Sequence, residues 1–184
     1  KRIVEMVSED LTPSKIMTKK AFENAIVVAS AIGGSSNCPP HLSAIAKHIG
    51  IKIDLSDWQK LGHSIPLIVN CKPAGEYLME KFHRGGGVPA VMQELIRHKK
   101  LHTSVMTVTG KTLRENLKIK INVDIDVIKS FDDPIVENAG FIVMRSNFFN
   151  SAVMKTSVIS EEFRERYLAD PKKPNAFQAK AVVF

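Results

Sequence analysis

From Ala31 to Gly50 the chain reads AIGGSSNCPPHLSAIAKHIG, and this stretch constrains the fold more than any other. Upstream, Phe22, Ala25, Ile26, Ala29 and Ile32 recur at helical spacing in KKAFENAIVVASAI, with Thr18 placed to cap the start. Gly33 and Gly34 end that helix, because glycine enters the left-handed region without a steric penalty. Pro39 and Pro40 suit the first turn of a second helix, where the missing N–H would have had no partner anyway. Leu42, Ile45, Ala46 and Ile49 fall on one face of HLSAIAKHI, and Gly50 stops it. The chain must therefore run as helix, tight polar turn and helix. The alanines of the first helix predict close packing against a neighbour.

The segments that follow alternate. DLSDWQKLG predicts a short helix capped by Asp54 or Ser56. IPLIVN, residues 65–70, predicts a short buried strand. KPAGEYLMEKFHRGGG reads as loop, helix and flexible glycine turn, and Pro89 opens a helix through PAVMQELIRHK. VMTVTG predicts a strand, and TLRENLK a short helix from Thr112. This alternation predicts an α/β chain with a largely parallel sheet up to about residue 120. INVDIDVIKSFDDPIVENAG then reads as a connector, with a boundary expected between residues 125 and 139. Beyond it, GFIVMRSNF and SAVMKTSVI predict β-strands, SEEFRERYLA a helix capped by Ser160, DPKKPN a turn, and KAVVF a last strand.

Composition excludes several classes. With 184 residues, 44% hydrophobic and 24% charged, the chain is long enough to bury a core as one domain, or one domain and part of another. Its net charge of +7 is scattered, and no aromatic interleaves with a basic run, so nucleic-acid binding is not expected. A basic surface attracting anionic metabolites is the better reading. No apolar run approaches the roughly 18 residues that span a bilayer, so no membrane partner is expected. Cys38 and Cys71, without a CxxC or a zinc-spaced histidine pair, point to a reducing, cytoplasmic compartment and to no metal site. Lys1 stands where Met would open a gene, so the chain is expected to begin inside a longer protein.

Three features could carry chemistry. GGSSNCPPH offers Ser35, Ser36, Asn37 and His41 beside the amides of a helix start, which suits a carboxylate or hydroxyl ligand. The simpler account is that the glycines stop one helix while Ser and Asn cap the next. Lys72, His83 and Arg84 put cations near flexible loops, for an acidic substrate or as solvated charge. Lys155, in SAVMKTSV, reads as the exposed face of a strand. Neither a phosphate-binding glycine fingerprint nor a nucleophile–base constellation is present.

The longer stretch GGSSNCPPHLSAIAKHIGIKIDLSDWQKLGHSIPLIVNCKPAGEYLMEKFHRGGGVPAVMQELI resembles the dihydroxy-acid dehydratase and phosphogluconate dehydratase family. The resemblance rests on Gly33, Gly34, Ser35, Asn37, His41 and Leu42, with Ser36 where that family usually has Thr. It continues through Lys72, Gly75, Glu80, His83, Gly86 and Pro89. NCPPHL, NCKPAGEY and NFFNSAVMKTSVISEEF look most like the sugar-acid branch, which dehydrates pentonates such as arabonate or xylonate.

The resemblance implies residues 1–130 as the C-terminal part of a three-layer α/β/α domain. Residues 131–184 would then be a linker and the start of a β-rich, swivelling, barrel-like domain. It implies a hydro-lyase that turns a 2,3-dihydroxy acid into a 2-keto-3-deoxy acid, and a homo-oligomer for the full protein. It also implies an iron–sulfur cluster and Mg²⁺, with ligands and catalytic base in motifs absent from this chain, so the 184 residues alone should be inactive. The substrate-binding residues it leaves here are Ser35, Ser36, Asn37 and His41. The alternative is a non-catalytic binding or assembly module that keeps the dehydratase framework. Cluster cysteines and a serine segment elsewhere in the reading frame would separate the two.

Overall fold

A computed structural model describes residues 1–167. The helices are α1 (Arg2–Ser8), α2 (Pro13–Ile16), α3 (Lys19–Ala31), α4 (Cys38–His48) and α5 (Leu55–Asp57), which runs into a π-helical turn at Trp58–Gly62. They continue with α6 (Met79–Arg84), α7 (Gly87–Arg97), α8 (Leu113–Asn116) and, after the strands, α9 (Glu161–Tyr167). Strands β1 (Phe141–Met144) and β2 (Ala152–Lys155) pair as an antiparallel hairpin, with Phe141 opposite Lys155 and Val143 opposite Val153.

Local chemistry sets most of these boundaries. Thr18 caps α3 by accepting the Ala21 N–H. Asp54 and Asp57 form a reciprocal capping box on α5, as Thr112 and Glu115 do on α8. Ser160 accepts the Phe163 N–H at the start of α9. The sequence reading of these caps holds. It fails at Ile45 on α4, which is exposed while Ala46 is fully buried. The last strand expected from KAVVF, and the DPKKPN turn, lie outside the described residues.

Two apolar clusters share α3. Val27 and Ala31 face one, with Ile65, Ile68 and Val69, Phe82 of α6, Ala90, Val91 and Leu95 of α7, and Val127. Phe22, Ile26 and Ala29 face the other, with Ala46, Ile53, Trp58 and Phe141. Trp58 is fully buried and meets Phe141 edge to face, with ring centroids 4.9 Å apart. The hairpin lies against the π-helical turn so closely that a Cβ on Gly140 would collide with the Gly62 carbonyl. Gln59 of that turn also accepts the Val143 N–H through its side chain.

The chain mixes helix and strand, as expected, but the largely parallel sheet does not form among the described residues. Residues 65–70 are extended and buried, yet they pair only through isolated bridges. Their partners come from residues 127–139, the stretch read as a connector. Leu67 and Ile135–Val136 exchange backbone bonds, Asn70 N–H donates to Val127, and Lys129 N–H donates to Ile68. The two bridges from this stretch to residues 127–139 are antiparallel, with α6, α7 and α8 all lying between the paired segments along the chain. VMTVTG forms no strand either. Its chain folds back at Gly110 (φ +76°), leaving one bridge from Met106 to Thr112. No barrel-like domain is formed among the described residues. The only regular sheet there is the hairpin.

Two polar devices tie the helices to the loops. Asn24, buried on α3, binds both backbone groups of His102, donating to its carbonyl and accepting its N–H. Glu94 on α7 accepts from the Phe131 N–H at 2.9 Å, from Ser130 Oγ at 3.2 Å and from Arg97 at 2.7 Å. Burial alone would raise the Glu94 pKa. The Phe131 and Ser130 hydrogen bonds, with Arg97 and His98, outweigh it and hold the carboxyl below its ordinary value.

Gly140→Ala should therefore destabilise the protein by about 2 kcal/mol or more in urea unfolding, since a backbone carbonyl cannot move aside. Glu94 binds its proton less readily folded than unfolded, so its stabilisation is present above about pH 4.5 and fades as pH falls through the folded value. Glu94→Gln should cost about 1.5–3 kcal/mol at neutral pH and flatten the loss of stability between pH 5 and 3.

Candidate functional site

The end of α3 is built so that its successor residues face a hollow. Gly34 N–H reaches back to the Ala29 carbonyl at 2.7 Å, and Gly33 N–H to Ser30 at 3.1 Å. This is the paired closure that a left-handed residue permits, and Gly33 supplies it with φ +63°. A Cβ on Gly33 would sit 2.8 Å from Leu67 Cδ1, and one on Gly34 2.9 Å from the Ala29 carbonyl oxygen. The two glycines thus let the turn lie flat on the core. Ser35 follows and takes the Asn37 N–H on its hydroxyl.

Beside this turn is a cleft of about 540 Å³. Gly33, Gly34, Ser35 and Ser36 form one wall. Val69, Cys71, Lys72 and Pro73 form a second, Met79 and Phe82 of α6 a third, and Lys155 and Val158 close it from the hairpin side. Ser35 and Ser36 are thus brought together at a cavity. Asn37 and His41 occupy exposed positions at the start of α4 and do not line it. Asn37 is the N-cap residue of α4 but makes no side-chain cap bond, so capping does not account for it.

The cations separate. Lys72 joins the cleft, His83 is exposed, and Arg84 pairs with Glu80 at 2.7 Å beside a different groove. Lys155 is the residue that sequence reasoning misplaced. Directly opposite residues of an antiparallel pair share a face, and Lys155 stands opposite Phe141, whose ring lies in the second core. Its stem is therefore on the inner face and its amine at the cleft. Burial pushes the Lys155 amine below its ordinary pKa, and Cys38 works against that shift. Only the strand register could have revealed this, since SAVMKTSV alternates equally well on either face.

Burial raises the Cys71 thiol above its ordinary pKa, and the thiol points to the Leu78 carbonyl at 3.8 Å. It is kept protonated, as a packed side chain and not a thiolate ligand. No group of three His, Cys, Asp or Glu side chains able to hold a metal comes together among the described residues. They do not fit an iron–sulfur cluster or Mg²⁺. No described helix is long and apolar enough to cross a membrane.

Residues 1–116 match the N-terminal region of the dihydroxy-acid/6-phosphogluconate dehydratases, and the chain belongs to that family. Across its whole length it is 50% identical to a D-xylonate dehydratase of Caulobacter vibrioides, over 183 residues that make up 31% of that protein. It is 45% identical to an L-arabinonate dehydratase of Rhizobium leguminosarum, over 87% of this chain and 28% of the relative. A dihydroxy-acid dehydratase of Acetivibrio thermocellus is 41% identical over 88% of this chain and 29% of its own length. The chain spans about three tenths of the relatives it matches.

Ser157 is buried behind Gly33, and its Oγ finds no hydrogen-bond partner among the described residues. Removing an unmatched hydroxyl should leave the ligand-free protein as stable or more so, by up to about 1 kcal/mol for Ser157→Ala. A thermal melt showing a loss above that size would mean the hydroxyl is hydrogen-bonded in the native state.

Proposed function

We propose that the chain is part of a hydro-lyase that dehydrates a sugar acid to a 2-keto-3-deoxy acid, and that the cleft beside Gly33–Ser36 receives that substrate. The observation that carries the reading is the 50% identity over the full chain to a D-xylonate dehydratase, joined to a cleft at the most distinctive motif. The reaction removes a proton from C2 and the hydroxyl from C3, giving an enol that becomes the 2-keto acid. The iron–sulfur cluster and Mg²⁺ that the resemblance implies would supply the acid for the leaving hydroxyl. Their ligands would come from elsewhere in the whole protein, along with the base.

What these residues do is bind and orient. The Ser35 and Ser36 hydroxyls are placed to bond the hydroxyls of a short polyol chain, and Val69, Met79 and Phe82 give the cleft an apolar lining that excludes water from one side. Residues 1–130 then belong to the α/β domain, and the hairpin that packs on it through Phe141 brings Lys155 to the cleft. The full protein works as a homo-oligomer on a small acidic metabolite, in the cytoplasm.

The test is a keto-acid assay of the full-length protein on a panel of aldonic acids and on 2,3-dihydroxyisovalerate. Turnover of a pentonate ahead of the branched acid is expected. Keto acid formed from no panel member would overturn the reading. Ser35→Ala and Ser36→Ala should each raise KM or lower kcat by about 2–10-fold, the worth of one hydrogen bond. Asn37→Ala and His41→Ala, measured alongside, show whether the exposed residues of the loop also reach the substrate.

A further inference from the structure

We infer that Lys155, at the end of β2, seats the substrate carboxylate and so sets the preference of this cleft for acids over neutral sugars. The inference rests on the sugar-acid reading above and assigns one end of the substrate to one side chain.

The cleft lining holds two cations, Lys72 and Lys155, and no carboxylate. An empty cavity with that lining favours an anion. The two lysines are not equivalent. Lys72 is exposed, so water screens it, whereas Lys155 is half-buried on the face it shares with Phe141. Among the described residues no Asp or Glu pairs with Lys155, so its desolvated charge lacks a counter-ion. An anion bound there meets an effective dielectric near that of a protein surface, where attraction is about four-fold stronger than in bulk water.

A second observation points into the same place. Ser157, in the turn that follows β2, is 5% exposed, and its Oγ has no hydrogen-bond partner among the described residues. That oxygen lies 3.3 Å from where a Cβ of Gly33 would stand, against a glycine that lines the cleft. A carboxylate drawn to the Lys155 ammonium could accept this hydroxyl as well. The hydroxyl-bearing carbons would then extend along Ser35 and Ser36. Removing the C2 proton spreads negative charge onto the neighbouring carboxylate, so losing its cation lowers kcat/KM, through kcat as well as KM.

The experiment uses the full-length protein, with D-xylonate as probe. Lys155→Met should lower kcat/KM for D-xylonate at least ten-fold, and Lys155→Arg should recover most of the loss. In parallel, wild-type lysines are acylated with and without D-xylonate and read by mass spectrometry. Lys155 should be protected while exposed Lys52 is not, a measurement that stands even where the methionine variant does not fold. Turnover with unchanged kcat/KM in Lys155→Met, or equal acylation of Lys155 with and without D-xylonate, overturns the assignment and leaves the dehydratase reading intact. A wild-type protein that neither binds nor converts any aldonate overturns both.

Discussion

Helix α3 is buried on two sides, and the rest of the structure is arranged around that constraint. Val27 and Ala31 look into one apolar cluster, and Phe22, Ile26 and Ala29 into the other. A helix in that position cannot end in an exposed, frayed turn, because its last carbonyls sit against packed neighbours. The Gly33–Gly34 closure satisfies them within a single turn, and it does so at the seam between the two clusters. The polar residues that follow are thereby delivered to an interior edge. The cleft is a by-product of how α3 has to stop.

The stretches legible in the sequence were those governed by neighbours in the chain. Thr18, Asp54, Thr112 and Ser160 cap helices because their side chains reach amides two or three residues away. Gly33, Gly50 and Gly110 sit at positive φ, where the local turn requires it. The stretches that misled depend on partners far off. Residues 65–70 have the composition of a central strand, yet their backbone partners at 127–139 come from Asp-rich chain that carries no strand pattern. Ile45 has the spacing of a core residue on α4, and none of the described residues covers it.

The candidate site divides the same way. Ser35 and Ser36 could be singled out because a glycine pair and a proline pair bracket them. Lys72 could be named but not placed, and Lys155 was assigned to the wrong face. Whether a strand lysine points in or out is decided by register, and register is decided by a packing partner, here Phe141 against Trp58. Membership of the dehydratase family explains why the motif is present. The packing explains which of its residues meet a cavity.

The near-contact of Gly140 with the Gly62 carbonyl has a consequence for how the cleft can vary among related chains. The amine at the mouth of the cleft is borne by a hairpin whose footing is the Trp58 cluster, while the serines stand on the helix shared by both clusters. The distance between these two walls is therefore set at the far side of the hairpin. Drift at Trp58, Gly62 or Gly140 would widen or narrow the opening while every cleft-lining residue stayed the same. Changes in the width of this cleft within such a lineage can be sought in the hairpin's foundations as well as in the lining itself.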